Sequence, residues 1–348
     1  MGQNEIYWLE EIDQEHRDLV GNKSANLGEM KKVPGIEVPP GFAISIPAYE
    51  RFVREAGIGE KIRQYVRSTF PKGLTDKDLI QIQEAAAAIR SIVESHRMPQ
   101  YLMDVIDSKY CTMCETSEKS VAVSVRSAGA KSHPGQYETH LNVVGLDRII
   151  EKIIKVWSSI YNTKSITAAI RQAMPIEECP PVGVCILKMV NARAAGVCLT
   201  VHPITGDDSC ALVESSFGLG ESVVGGMVTP DQFIVNKIDM RVTEAVAGHK
   251  KKRVVATGQG VIEEVIPEEE KKRLSISQEE AVEIVGLAKK LESHFGIPQD
   301  IEWAIDDGLP CGRNIVLLQT RRQVNIPEKK TAGDLIADML IKKYRSIR

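Results

Sequence analysis

The spacing of apolar residues along the chain changes near its middle. In the first half, apolar positions recur every three or four residues, which is typical of helices that bury one face. This period runs through two long segments, 75–92 and about 146–171, and a strand is predicted at 121–125. The series Ser45-Ile46-Pro47 predicts another helix start, because serine caps the first turn and proline tolerates its missing hydrogen-bond donor there. The clearest helical series consists of Leu79, Ile82, Ala86, Ile89 and Val93.

After Pro180 and Pro181 the pattern changes to short runs rich in β-branched residues, which are separated by glycine, proline, aspartate and lysine. A helix is predicted at 277–295, with Ser277 as its cap and Gly296 near its end. The two halves together predict an α/β (α+β) protein. Its expected divisions are an N-terminal lobe at 1–180, a C-terminal lobe at 181–326 and a tail helix or linker at 327–348. The predicted strands of the second half are 182–190, 196–201, 210–214, 232–236, 241–246, 261–266, 301–305 and 315–318.

The composition narrows the class of protein. The 348 residues are 43% hydrophobic, and 44 basic against 47 acidic residues give a net charge of −3. This balance argues against a general nucleic-acid binder, which carries a basic excess. The chain has neither an apolar run of about eighteen residues nor the apolar core of a secretory signal, so we expect no membrane span and no secretion. Seven scattered cysteines are typical of reduced thiols, and we therefore expect a cytoplasmic protein.

Two cations lie beside small residues in a way that suits phosphate binding. Lys23 stands in the run from Gly21 to Gly28, where small residues would let a ligand approach a mobile charge. The run is not a Walker A loop, since its glycine spacing and its Gly-Lys-Ser order are wrong. Arg126 is expected where a hydrophobic strand ends in a Ser/Gly loop, so that its guanidinium can bind two phosphate oxygens. The alternatives are a solvated lysine at a helix start and a strand-end arginine in a salt bridge.

A third candidate combines a carboxylate, an amide and a cation. Glu302 lies on one predicted strand, and Gln319 lies at the end of the next. A carboxylate and an amide oxygen on neighbouring strands can share a hard cation, which in turn bridges nucleotide phosphates. Arg321, two residues beyond Gln319, is expected on the same face of the sheet because side chains alternate along a strand.

Other motifs carry weaker signals. Cys111 and Cys114 form half of a zinc pattern, but no second pair completes it. His202 lies in a Gly/Pro-flanked loop, where a structural or substrate-edge role is expected rather than that of a nucleophile. The glycine-rich run 217–226 lacks the spacing of a dinucleotide site and predicts a flexible loop. The basic run 250–253 predicts a solvated hairpin turn.

In order and along nearly the whole chain, these segments resemble the ATP-grasp nucleotide-binding domain of the phosphoenolpyruvate synthase and pyruvate phosphate dikinase family. The resemblance implies a bilobal ATP-grasp fold with ATP and Mg²⁺ as cofactors. So many motifs in the same order make the match specific. The matching stretches are 21–30, 38–42, 124–127, 134–139, 141–143, 196–197, 202–206, 217–224, 229–231, 297–303 and 318–321.

The resemblance also assigns roles to individual residues. It implies that Glu302 and Gln319 bind Mg²⁺ and that Thr139 lies near the triphosphate. These assignments agree with the chemistry proposed above for the same side chains. The residues implied to be catalytic cations in contact with the phosphates are Lys23, Arg126 and Arg321.

The chain departs from the family pattern in three respects. Leu187 stands where family members often carry glutamine, which leaves the contact near the base open, and Arg322 stands where proline is usual. In the family, ATP phosphorylates a histidine on a separate swivelling domain. None of the seven histidines here lies in a Thr-x-x-Gly-Gly…His context. We therefore expect one subunit of a split enzyme, which passes the phosphoryl group to a histidine on a partner subunit.

The final acceptor is not specified by these residues. A split arrangement is similar to phenylphosphate synthase, which implies phenol as the favoured acceptor. Pyruvate, in a split phosphoenolpyruvate synthase, is the alternative. Two other classes stay open, a non-catalytic nucleotide-binding regulatory subunit and a stand-alone ATP-grasp ligase. The intact set of cations and metal ligands argues against the first, and the dikinase-type motifs argue against the second.

Overall fold

The computed structural model describes residues 5–115, 120–129, 137–258, 260–310 and 312–328. The described residues form two compact units. The first unit comprises the residues up to Lys32 together with Pro39–Met189 and Ala256–Val261. The second comprises Val33–Val38, Val190–Val255 and the residues from Ile262 onward.

The first unit contains helices and strands that are mixed along the chain. Its helices are α1 (Arg17–Val20), α2 (Asn22–Lys31), α3 (Ile46–Glu55), α4 (Ile58–Thr69), α5 (Leu79–Glu94), α6 (Gln100–Glu115), α7 (Leu146–Ser158) and α8 (Thr163–Arg171). Its strands are β1 (Ile6–Trp8), β2 (Gly41–Ile44), β3 (Val123–Gly129), β4 (Thr139–Val143) and β5 (Val182–Lys188), which form an antiparallel sheet in the order β1-β2-β5-β3-β4.

One face of this sheet forms a large hydrophobic core with α3, α5 and α7. Within the core, the ring of Trp157 stacks on Phe52 with the ring centroids 5.1 Å apart, and both side chains are fully buried. The opposite face carries the residues that alternate with the core positions, and α2 packs against β3 and β5 there.

The second unit is built on an antiparallel sheet in the order β13-β12-β6-β7-β8-β9. Helix α11 covers the face that carries Cys198, whose thiol interacts electrostatically with Glu292 of that helix. The side chain of Trp303 is also fully buried in this unit. The elements are β6 (Ala192–Leu199), β7 (Cys210–Phe217), α9 (Glu221–Val224), β8 (Asp231–Asn236), β9 (Arg241–Val246), β10 (Lys252–Thr257), β11 (Gly260–Val265), α10 (Glu268–Lys271), α11 (Gln278–Phe295), β12 (Gln299–Asp306) and β13 (Ile315–Arg322). The end of β10 and the beginning of β11 fall in Ala256–Val261 and so belong to the first unit.

The structure confirms the predicted α/β class and two of the predicted helix starts. The Ser45 hydroxyl accepts a hydrogen bond from the Ala48 amide at 3.3 Å, and Ser277 forms a capping box with Glu280. Leu79, however, is 59% exposed, because it stands in the first turn of α5, before the buried stripe begins at Ile82.

The basic run 250–253 is not a solvated turn, and that prediction was wrong. Lys250 is fully buried beside Asp231, and Lys252 begins β10, which pairs with β11. The four residues therefore lead from a buried ion pair into a strand.

The compact units divide at Met189 rather than at Pro180, because β5 pairs with β2 and β3 in the centre of the first sheet. Most of the predicted tail, 329–348, lies outside the described residues. Among the residues that the structure describes, no helix combines the length and the apolar composition that crossing a membrane requires.

Candidate functional site

Arg126 lies in the middle of β3, not at its end as the sequence suggested. The strand continues to Gly129 because residues 123–129 all pair with β5. Arg126 pairs with Cys185 on one side and with Thr139 of β4 on the other. Since paired residues of antiparallel strands point to the same face, the side chains of these three residues share the face against which α2 packs.

Lys23 stands in the first turn of α2, directly after Gly21. A β-carbon on Gly21 would lie 2.0 Å from the carbonyl oxygen of Ala128, and Gly21 has a φ of +80°. Glycine thus lets α2 begin close to β3. A β-carbon on Gly28 would similarly lie 2.3 Å from the carbonyl oxygen of Ile12. These glycines serve packing within the protein, which corrects the expectation that they make room for a ligand.

The Cys185 thiol lies near both of the predicted phosphate-binding cations, Lys23 and Arg126. Burial raises the pKa of this fully buried thiol to about 11, whereas the charge of Arg126, a hydrogen bond with Ser24 and the charge of Lys23 oppose the rise. Both cations therefore lie close enough to Cys185 to act on it electrostatically. The structure brings Lys23 and Arg126 together on one face of the first sheet, as a site for an anion requires.

Thr139 is exposed at the start of β4, beside Arg126. The adjacent Glu138 points to the opposite face, where it forms ion pairs with Arg90 of α5 and with His140. Hydrogen bonding with His140 and the nearby Arg90 charge lower the pKa of Glu138, against the opposing effect of burial. Because these contacts hold Glu138 on one face of the sheet, the neighbouring Thr139 points to the other face, which it shares with Arg126.

In the second unit, Glu302 and Gln319 are paired across β12 and β13. The Gln319 amide nitrogen donates a hydrogen bond to Glu302 Oε1 at 3.0 Å, and Gln319 is 6% exposed. A carboxylate and a side-chain amide at this distance supply the oxygen donors that Mg²⁺ prefers. The predicted pair is therefore on neighbouring strands and in contact, and its chemistry fits a hard divalent cation.

Arg321 lies one pleat further along β13 on the same face as Gln319. Its Nε and Nη2 atoms contact Asp300 Oδ2 at 2.8 Å and 2.6 Å, and the arginine side chain is 38% exposed. Asp300 thus orients a cation that is still partly exposed to solvent. The sequence reasoning missed Asp300, although it stands two residues before Glu302, as Arg321 stands two after Gln319.

A second acidic residue shares this face. Across the sheet, Glu302 pairs with Val197, Val197 pairs with Glu214, and Glu214 pairs with Gln232. The Gln232 amide donates to Glu214 Oε1 at 2.9 Å. The two carboxylates are separated by two strand spacings, about 10 Å. Only the strand register reveals Glu214, because it lies 88 residues from Glu302 in the sequence.

The residues of the weaker motifs take other positions. Leu187 is 2% exposed and pairs with Gly41 and Ser124 on the face of Arg126, so it contributes packing there. Arg322 is exposed and pairs with Gln299 at the beginning of β12. The His202 Nδ1 atom accepts hydrogen bonds from the Ile204 and Thr205 amides and orders its own loop. Across the described residues, no three or more His, Cys, Asp or Glu side chains are grouped so that they could hold a metal ion.

Comparison with known proteins identifies the family to which the chain belongs. A family model for the pyruvate phosphate dikinase AMP/ATP-binding domain matches residues 17–339. The chain belongs to this family. The match confirms the resemblance seen in the motifs and the prediction that this domain binds ATP.

Relatives of the chain are larger proteins. It is 34% identical over 340 residues to a probable phosphoenolpyruvate synthase of Archaeoglobus fulgidus and 36% identical over 362 residues to a phosphoenolpyruvate synthase of Aeropyrum pernix. A probable phosphoenolpyruvate synthase of Staphylothermus marinus is 32% identical over 346 residues. These alignments cover 96%, 94% and 91% of this chain but only 43%, 43% and 41% of the respective relatives. The chain thus spans less than half of their length.

Proposed function

We propose that the chain binds ATP with Mg²⁺ and transfers a phosphoryl group from ATP to a histidine on a partner subunit. The observation that carries the proposal is the shared sheet face of Glu302, Gln319 and Arg321, which combines a hard-cation pair with an oriented guanidinium. Membership in an AMP/ATP-binding domain family supports it.

Each set of side chains has a distinct proposed role. Glu302 and Gln319 hold Mg²⁺, which neutralises charge on the phosphates when it is bound. Arg321, held by Asp300, stabilises the charge of the transferring group, because a fixed guanidinium needs no reorganisation as that charge develops. In the first unit, Lys23 and Arg126 are the proposed phosphate contacts, with Thr139 paired beside Arg126.

The histidine acceptor is proposed to lie outside the 348 residues, since none of them provides the family's histidine motif. In the overall reaction, ATP, water and an acceptor would give the phosphorylated acceptor, AMP and phosphate. The histidine nitrogen attacks the β-phosphorus of ATP, so that an N–P bond forms, the P–O bond to the α-phosphate breaks and AMP leaves. Water then cleaves the γ-phosphate from the histidine-bound pyrophosphoryl group and releases it as phosphate. The acceptor oxygen attacks the remaining phosphoryl group, which breaks the N–P bond and frees the histidine.

Two acceptors are proposed for this last step. Pyruvate is supported by the names of the relatives, which are phosphoenolpyruvate synthases. Phenol, the acceptor in a phenylphosphate synthase, stays a prediction from the expected division into subunits. Purified chain with its co-purifying partner, supplied with ATP and either pyruvate or phenol, distinguishes them by the product that accumulates.

The transfer itself is tested by following label from ATP that carries ³²P in its β-phosphoryl group onto the partner histidine. Arg321→Ala should lower the labelling rate by about 100-fold or more, because a lost transition-state donor has an effect of that size. Glu302→Gln should act similarly and should raise the Mg²⁺ concentration required for half-maximal labelling.

The matched control is Arg322→Ala, which removes the neighbouring exposed arginine and should label at the wild-type rate. Labelling that persists unchanged in Arg321→Ala and Glu302→Gln would contradict the proposed mechanism. Full activity of the partner without this chain would favour a regulatory subunit instead. ATP turnover by the chain alone with a carboxylate and an amine would favour a ligase.

A further inference from the structure

A fully buried ion pair lies in the second unit, away from the proposed metal pair. Lys250 and Asp231 are both 0% exposed, and Lys250 Nζ donates to Asp231 Oδ1. The nitrogen also lies 5.7 Å from the centroid of the Phe217 ring. A charged pair at this depth has lost its water and depends entirely on protein partners.

Asp231 receives a complete set of donors. Its Oδ1 atom accepts from Lys250 and from the Gly248 amide at 2.8 Å, and its Oδ2 atom accepts from the amide and the hydroxyl of Ser275, each at 2.7 Å. The Ser275 hydroxyl is in turn 2.7 Å from the hydroxyl of Ser215 on β7. The network therefore joins β7, the start of β8, the segment before β10 and the segment before α11.

A contribution to the stability of the fold does not by itself explain why this network is present. Buried ion pairs are often replaceable by well-packed apolar residues at no cost in stability, because desolvation offsets the attraction. What the pair holds in place is therefore informative. From Lys250 the chain runs directly into β10, whose Val254 carbonyl accepts a hydrogen bond from the Leu219 amide at 2.9 Å.

The same contact anchors the glycine-rich loop that follows β7. Gly218 forms a parallel bridge with Val254, has a φ of +77°, and a β-carbon on it would lie 2.4 Å from the Val254 oxygen. The loop thus approaches β10 as closely as only glycine permits. The position of β10, and with it the beginning of the loop, depends on where Lys250 is held.

The glycine-rich loop, which includes the short helix α9, lies along the face that carries Glu302. A β-carbon on Gly220 would lie 3.5 Å from the β-carbon of Ala195, and α9 packs against β6 and β7. Ala195 pairs with Ala304, two residues from Glu302, so the loop lies one pleat from the proposed metal pair.

We propose that the Lys250–Asp231 pair is a positioning device which, through β10, fixes the glycine-rich loop Phe217–Gly226 beside the Glu302 face. Lys250 and Asp231 touch no substrate and act through the main chain of Val254 and Leu219. The effect on catalysis rests on the proposed function, whereas the effect on the loop does not.

The test uses the double variant Lys250→Met/Asp231→Asn, which removes both charges while keeping similar side-chain volumes. Hydrogen exchange of the amides of Leu219–Val224 is measured in the protein without nucleotide, together with the melting temperature. The milder variant Ser275→Ala, which removes one hydroxyl donor from Asp231, provides an intermediate step. The control is Lys252→Met, which removes an exposed lysine paired with Glu263.

The double variant should stay folded and exchange the loop amides at least about tenfold faster, with Ser275→Ala in between and the control unchanged. The phosphoryl-transfer rate constant should fall about tenfold or more, while the Kd for ATP shifts much less, because a misplaced loop mainly disturbs the geometry of transfer. Wild-type exchange in a folded double variant, or in Ser275→Ala if the double variant does not fold, overturns the proposal. If wild-type protein failed to bind ATP while the loop still responded, the proposed function would fail and the positioning device would stand.

Discussion

Cys185 of β5 lies fully buried in the first sheet, paired with Arg126 of β3 and close enough to Lys23 of α2 to feel its charge. The two cations of the candidate site therefore act on a buried group as well as facing the surface. The sequence made Lys23 and Arg126 recognisable, because a cation beside small residues suits phosphate. It could not reveal Cys185 or Asp300, because each acquires its role from a partner on another strand. The type of a residue can be read from the sequence alone, whereas its partner on a neighbouring strand cannot.

The buried thiol predicts a pH dependence of stability. Because burial raises the pKa of Cys185 from 9.0 to about 11, the unfolded state releases its proton before the folded state does. The contribution of the neutral thiol to stability is therefore fully present below pH 9.0 and is lost as the pH rises toward 11. Cys185→Ala should lessen the fall in the free energy of unfolding across this range by up to about 1.4 kcal/mol per pH unit. Urea unfolding at several alkaline pH values measures it, and identical slopes in both proteins would contradict it.

At the scale of elements, long amphipathic helices were predictable because their period is read directly from the chain, as in α5 and α11. Strand ends were not. Strand β3 continues through Arg126 to Gly129, since β5 supplies pairing partners beyond the point where the hydrophobic pattern stops. Strand β10 was missed because the charged run 250–253 hides one buried lysine among exposed neighbours. Both errors have one physical cause, that tertiary contacts override local composition.

The start of α2 gives a prediction at this scale. Gly21→Ala should lower the free energy of unfolding by well over about 1 kcal/mol, because it adds a clash with β3 to the strain of a positive φ. It should also weaken ATP binding, since the clash displaces Lys23.

The matched control for this prediction is Gly57→Ala. Gly57 has a φ of +64° but no atom within 4 Å of a new β-carbon, so only the backbone strain is added. Chemical denaturation and calorimetric titration with ATP and Mg²⁺ compare the two variants. Equal losses of stability and unchanged ATP affinity in both would show that α2 does not depend on its approach to β3.

At the scale of the whole molecule, neither compact unit is a single stretch of chain. The second unit includes Val33–Val38, where Glu37 forms a parallel bridge with Val316 and its carbonyl accepts from the Leu317 amide at 2.8 Å. The first unit includes β5, which lies after the boundary suggested by Pro180 and Pro181. A change in composition marked the approximate position of this division, but the pairing of β5 decides it.

This arrangement predicts the behaviour of fragments. A fragment of residues 1–189 retains β5 and should unfold cooperatively in urea, whereas residues 1–180 lack the strand that joins β2 to β3 and should not. Circular dichroism and limited proteolysis measure the difference. A cooperative transition in the shorter fragment would show that β5 is dispensable for the first sheet.

The two fully buried tryptophans give each unit its own optical reporter. Trp157 belongs to the first unit and Trp303 to the second, and among the described residues neither indole nitrogen has a hydrogen-bond partner. Indoles in such apolar surroundings emit at short wavelength and shift to the red when water reaches them. With the partly buried Trp8 replaced by phenylalanine, Trp157→Phe and Trp303→Phe would each leave a single tryptophan, which can be excited apart from the tyrosines. The spectrum of the protein would then report which unit loosens first under denaturant, and whether adding nucleotide changes that order.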